Sequence, residues 1–224
     1  MTTAEKRTAW QLVRHVAVLA VRLEIAIWQS LYRFLLRRPR VPAGAVPFTY
    51  HRVVLPVIIT FIVVSAIEVV AIDLLVQRWP LVRIPLLVLG IWGLTWMFGY
   101  LAAMVTRPHG VGPDGISVRY LAEIDALVTW EAIGRVVRQS QPRADKAPRL
   151  VRDDDGAGTL QLWMHDQTNV DIHLERPVVV RMPDGAEEVR TIRLFADDAT
   201  GFLAEVRRHA PSVTGPAGKA PRST

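Results

Sequence analysis

Two long apolar runs, Val53–Val76 and Ile84–Thr106, occupy the middle of the chain, separated by the seven residues Gln77–Arg83. A bilayer core about 30 Å thick needs roughly 20 apolar helical residues to cross it. Residues 53–106 therefore predict a transmembrane hairpin, with spans at 53–76 and 84–106. Trp79-Pro80 suits a tight turn at one interface.

Upstream, residues 1–40 hold a predicted helix over 4–37, since no Pro or Gly occurs before Pro39. Gln11, His15, Arg22, Gln29 and Arg33 form a polar stripe, which Val18 and Ala26 interrupt. Such an amphipathic helix fits the membrane interface. The rival is a third span over residues 15–36. It would carry Arg22 and Glu24 into the bilayer at around 2.5–3.5 kcal/mol each near the helix centre, so the interfacial placement is preferred. Residues 41–52 follow as a Pro/Gly linker, with Phe48, Tyr50, His51 and Arg52 as interfacial anchors.

After Pro108 the period shortens to that of strands. Segments 109–112, 116–120, 124–130, 135–140, 159–165, 170–174, 178–182 and 188–195 alternate with Gly/Pro/Asp turns, a pattern of antiparallel sandwiches or barrels. Asp197 or Asp198 then caps an amphipathic helix through Ala210. Residues 107–210 are thus one domain of α+β character, and 211–224 read as a disordered tail.

Charge sharpens the division. Residues 1–106 carry 11 Lys+Arg against 4 Asp+Glu, and residues 107–224 carry 16 against 17. The basic excess lies beside the apolar runs, which argues topology rather than nucleic-acid binding. By the positive-inside tendency both termini are expected in the cytoplasm of the plasma membrane, with a short turn outside. No cysteine is present, which removes disulfides and thiolate chemistry. No leader-like cleavage pattern precedes the first long apolar stretch. Arg outnumbers Lys 24 to 3, a bias that fits a high-GC bacterial genome.

Asp114-Gly115-Ile116-Ser117-Val118-Arg119 and Ala126-Leu127-Val128-Thr129-Trp130-Glu131-Ala132-Ile133-Gly134-Arg135-Val136-Val137 resemble the bacterial membrane-flanked PH-like family over roughly residues 53–210. Thr129 stands where that family usually has Pro before Trp. The 196–202 segment is similar to actinobacterial variants. The resemblance implies a partly open antiparallel barrel plugged by a C-terminal helix, and a membrane association. It implies no defined activity, and lipid binding by eukaryotic PH domains is not carried over.

Candidate chemistry is sparse. Glu68 and Asp73 are carboxylates inside the first span, and such groups are functional candidates by default. At 1.5 Å per residue Glu68 lies about 22 Å deep, level with Ile91–Trp92, where the Trp92 N–H or Ser65 is an expected partner. Asp73, about 30 Å deep, is expected to meet Arg78 or Arg83. Arg135, Arg138, Arg143, Lys146, Arg149 and Arg152 place six cations within eighteen residues, a candidate contact for anionic headgroups. His165, Asp166, Asp171 and His173 lack metal-ligand spacing, and Asp153–Asp155 lacks that of a calcium loop. No metal, cofactor or catalytic set is expected. The leading expectation is a non-enzymatic membrane protein whose domain binds a protein partner or anionic lipid. The alternative is an accessory subunit of a transporter or envelope enzyme complex that uses Glu68.

Overall fold

The computed structural model describes residues 9–36, 41–121, 124–143, 149–152, 156, 158–182 and 185–214. Its helical part comprises α1 (Ala9–Leu35), α2 (Leu55–Leu75) and α3 (Pro80–Thr106). Proline occupies the first turn of α2 and of α3, where its missing N–H leaves no intrahelical bond unmade. The α2–α3 connection shrinks to a turn closed by Trp79 N–H donating to Val76 O at 2.9 Å. Both helices are long and apolar enough to cross a membrane, which points to membrane association. The apolar side chains of α2 mostly face outward, Ile62 being its one buried residue, while α3 buries residues near its end, Met104 among them.

The central helix of the three is α3. Gly90 lets it close on α2, because a Cβ there would come within 2.6 Å of Val69 Cγ2. Gly99 lets it close on α1, because a Cβ there would overlap Ile27 Cγ2. Gly93, by contrast, faces open space. Contacts of α1 with α3 rise together in number, with Glu24 at Trp92 and Ile27 at Gly99. Beyond α1, Pro42 and Ala45 pack on Gly110 and Gly112, just past the end of α3. The two helices therefore run side by side in one direction.

Among the described residues the folded domain has nine strands in two sheets. The first is β1-β2-β3-β4, formed by Val46–Phe48, His109–Gly112, Gly115–Tyr120 and Ile124–Thr129, antiparallel throughout. The second runs β5-β8-β9-β7-β6, from Ile133–Pro142, Gln167–Met182, Gly185–Leu194, Gly158–Leu162 and Leu150–Arg152. Three features correct the antiparallel-barrel expectation. The pair β7–β9 is parallel, the sheets do not close into a barrel, and β8 is one 16-residue strand where the turn signals suggested two. Arg176-Pro177 causes the last difference, since it marks a register shift between His173 and Val178 rather than a chain reversal.

One core lies between the sheets and under α4 (Ala199–His209). Val111, Ile116, Val118 and Val128 meet Val136, Leu160, Ile172, Ile192 and Leu194, with Phe202 and Val206 of α4 closing one end. Asp198 caps α4 by accepting from Gly201 N–H at 2.8 Å. Trp130 donates its indole N–H to Gly112 O and Pro113 O, at 3.1 and 2.9 Å, and stacks on His209. The turn it holds needs Gly115, at φ +137°, where Val128 O leaves no room for a Cβ.

Residues 41–52 are no interfacial linker. β1 completes the first sheet, Phe48 packs edge-on to Phe202 at 5.1 Å, and Tyr50 is almost fully buried. The domain is built from both sides of the hairpin.

Candidate functional site

The intramembrane candidates separate in the structure. Asp73 forms a two-pronged ion pair with Arg83, Nε to Oδ1 at 2.6 Å and Nη2 to Oδ2 at 2.9 Å. Arg83 is one of the two partners expected, ten residues away across the turn. Trp92 does not meet Glu68. Its indole N–H donates to Glu24 Oε1 of α1 at 3.4 Å, and Trp28 donates to the same oxygen at 3.0 Å. Glu68 projects from α2 on an exposed face and makes no hydrogen bond or ion pair among the described residues.

The basic run is likewise divided. Arg135 lies opposite His173 on the second sheet, Arg138 donates to Thr200 Oγ1 at 3.3 Å, and Arg152 pairs with Glu187. Lys146 lies outside the described residues, as do Asp153–Asp155 and most of the tail. Among the described cations of the run, Arg143 and Arg149 line one polar cavity of about 220 Å³. Strand pairing places them there. Gln161 N–H donates to Arg149 O at 2.7 Å, and Arg143 N–H donates to Asp166 O at 2.7 Å. The Arg149 guanidinium lies 5.1 Å above the Tyr120 ring, while Arg143 Nη1 is 3.5 Å from Asp166 Oδ1.

The cavity's far wall is Trp163 and a two-residue turn, His165–Asp166. Both turn residues have positive φ, 49° and 57°, between Met164 and Gln167, which exchange backbone bonds at 3.0 and 3.2 Å. This backbone twist is that of the tight hairpin turns that glycine or asparagine usually occupy. Two polar atoms in the wall lack hydrogen-bond partners: the Trp163 indole Nε1 and Gln161 Oε1, the latter on a residue only 6% exposed.

Beside the cavity the domain joins the helices. Tyr50, Met104 of α3, Met164 and Phe195 form a second buried cluster, against which Val54, Ile58, Tyr120 and Leu121 pack. Tyr50 Oη accepts from Leu121 N–H at 3.0 Å, and burial pushes its hydroxyl pKa well up. Asp197 fastens the same corner from the other side. Its N–H donates to Thr49 O at 2.8 Å, and its Oδ2 accepts from Arg52 N–H at 3.2 Å. Tyr120 belongs to both the cavity wall and this junction, and Met164 lies between Trp163 and His165.

Away from the cavity, two buried titratable groups serve the fold. His109 places Nε2 3.2 Å from Phe195 O and accepts from Arg119 N–H through Nδ1 at 3.2 Å, and burial pushes its pKa down to about 4. Asp171, on the outer face of β8, accepts from Gln141 and lies 3.4 Å from Arg193 Nε. Burial pushes its pKa up to about 6 against that cation. Among the described residues no group of three or more His, Asp or Glu could hold a metal.

Sequence reasoning missed Tyr120, Gln161 and Trp163 as partners of the two arginines. The available signal was weak: aromatic residues near Arg in strands separated by long loops. Comparison of the chain with family models, with curated proteins and with solved structures finds no match.

Proposed function

We propose that this is a non-enzymatic integral membrane protein that holds a PH-like interaction domain against the cytoplasmic face of the membrane. There the domain binds a protein partner or an anionic lipid surface. The observation that carries this reading is the junction cluster, in which Met104 near the end of α3 is buried among domain residues. A domain fixed this way has no free linker and sits at headgroup level. The alternation of strands with one plugging helix, and the quoted Asp114–Arg119 and Ala126–Val137 segments, support the PH-like assignment.

The course of α1 favours the rival placement, a third span over residues 15–36. Running beside α3 and in its direction, α1 acts as a third span, and Glu24 meets two indole N–H groups instead of bare hydrocarbon. Arg52 then lies on the domain's side, in keeping with the positive-inside tendency. In this reading the start of α1 lies on the opposite side, whereas the interfacial placement keeps both termini cytoplasmic. The absence of cysteine permits a direct test. Single cysteines at Thr3 and Ser212 should be labelled from opposite faces of sealed vesicles, with Ser212 on the cytoplasmic face. Labelling of both from one face would return α1 to the interface, and Ser212 labelled from outside would overturn the reading.

Glu68 favours a second reading, an accessory subunit of a larger membrane complex. A carboxylate exposed on an apolar helix face, with no partner among the described residues, suits contact with another membrane protein. Glu68→Gln should preserve insertion and folding under both readings. It should abolish co-purification of a membrane partner only under the second.

A further inference from the structure

We infer that the face of α2 around Glu68 is a docking site for a membrane span of another protein that carries a basic side chain at the level of Glu68. The inference rests on α2 being a span and deepens the second reading above, since it names the chemistry of the membrane partner. The helices α1, α2 and α3 carry three carboxylates, and the chain answers two of them. Asp73 receives both prongs of Arg83, and Glu24 receives the indole N–H groups of Trp28 and Trp92. Glu68 is exposed and has no hydrogen bond or ion pair among the described residues.

Charge chooses the partner. Glu68 stands about 20 Å along α2 from Leu55 and about 8 Å short of Asp73, at 1.5 Å per residue. Arg83 is committed to Asp73, and Arg78 follows the end of α2 without pairing with Glu68. Gly90 meets α2 and Gly99 meets α1; they are about two and a half helical turns apart, so α3 separates α1 from the helix that carries Glu68. An unpaired carboxylate in hydrocarbon is costly, and intramembrane charges pair with one another. A span with a lysine or arginine at this depth bears the same cost, and one contact relieves both. A neutral donor would leave the net charge in the apolar layer.

The surface around Glu68 suits a second helix. Positions three, four and seven residues away share its face, and there Phe61, Val64, Ile72 and Leu75 are exposed apolar side chains. Ser65 and Ala71, beside them, are small enough to let another backbone approach. Val69, the next residue, packs on Gly90 of α3. The face that Glu68 marks therefore lies to one side of the α2–α3 contact, and a span seated on it leaves the hairpin intact.

The test uses the full chain, labelled at a single cysteine in place of Gln77 just past α2 and reconstituted in phosphatidylcholine vesicles. Acceptor-labelled Leu/Ala transmembrane peptides with one central Lys, Gln or Leu are the probes, and energy transfer is the readout. Transfer should exceed the random level with the Lys peptide alone. Glu68→Gln should weaken that association about tenfold. Glu68→Lys should abolish it and create association with a peptide bearing a central Glu, a gain that a misfolded variant would not show. Equal transfer with the Gln peptide, or full association in Glu68→Gln, would overturn the basic partner while leaving the reading of a membrane partner in place. Random transfer with every peptide would remove the docking face and that reading together. Self-association that depends on Glu68 without any peptide would make a second copy the occupant and would also overturn the inference.

Discussion

The helical hairpin and the folded domain solve the same problem in opposite ways. Phe202 of α4 is 0% exposed and touches both sheets' core, whereas Phe61 of α2 is 60% exposed and touches solvent-facing space. Each is a large apolar ring on a helix. The domain removes its rings from water by packing them on itself. The hairpin leaves its rings outside, which is stable only where the surroundings are apolar. Phe202→Ala should therefore lower domain stability by about 3–5 kcal/mol, read as a fall in thermal midpoint of the protein in bilayer nanodiscs. Phe61→Ala should leave that midpoint nearly unchanged. A large loss on Phe61→Ala would show that this face of α2 is packed against protein.

Within the domain the same contrast applies to charge. Below the ordinary histidine pKa of 6.5, the unfolded chain binds a proton that buried His109 refuses until about pH 4. Stability from this group is full above pH 6.5 and is lost as pH falls through 4, by about 3 kcal/mol. Asp171 works the other way. Its raised pKa makes the folded state bind the proton first, so its cost is full above about pH 6 and is relieved as pH falls toward 3.8. The two slopes largely cancel between pH 4 and 6. His51 and His173, whose pKa values burial also lowers, add to the side of His109. Asp171→Asn should unmask the histidine slope in urea melts across pH 4–7. His109→Gln should expose the opposite one. Parallel profiles for wild type and both variants would show that neither group titrates differently on folding.

Legibility in the sequence followed the range of the interactions. The two long apolar helices, the Asp73–Arg83 pair and the Gly112–Gly115 turn all rest on contacts within about ten residues, where spacing alone restricts the partners. Phe48 and Tyr50 did not read correctly, because an aromatic beside a span fits an interfacial belt as well as a core. What decides is the pairing of Val46 with Val111, across the whole hairpin. The parallel β7–β9 pair was hidden for a similar reason: strand order is set by side-chain packing far along the chain, and turn residues do not report it. The basic run read as one patch because charge proximity in sequence was taken for proximity in space. Strand geometry sends Arg138 to α4 and Arg152 to Glu187, and brings Arg143 to Arg149.

Two glycines of α3 sharpen the contrast at the helix–helix contacts. Valine at position 99 would press on Ile27, a β-branched side chain with little freedom to yield. Gly99→Val should cost about 1–3 kcal/mol by overpacking and loosen α1. Gly93→Val meets nothing within 4 Å and should be tolerated. Crosslinking between cysteines at Ser30 and Ala102 would report the change, and equal crosslinking in both variants would remove α1 from this face of α3.

The smallest effect lies at the seam between the two regions. Tyr50 accepts one hydrogen bond, from the N–H of Leu121, a residue held at φ 50° that few side chains adopt without support. Removing the hydroxyl in Tyr50→Phe leaves the ring and its contacts with His109 and Tyr120, so the core loses no volume. It leaves one buried donor unmet, at a cost of about 1 kcal/mol. That loss falls on the corner that joins β3 to α3 through Arg107 and Leu121. The global midpoint should fall by a few degrees at most, while hydrogen exchange at Leu121 and its neighbours should rise well beyond that of β8 or β9. A uniform rise across the domain would mean that the seam and the core unfold together, and that this corner does not open before the domain melts.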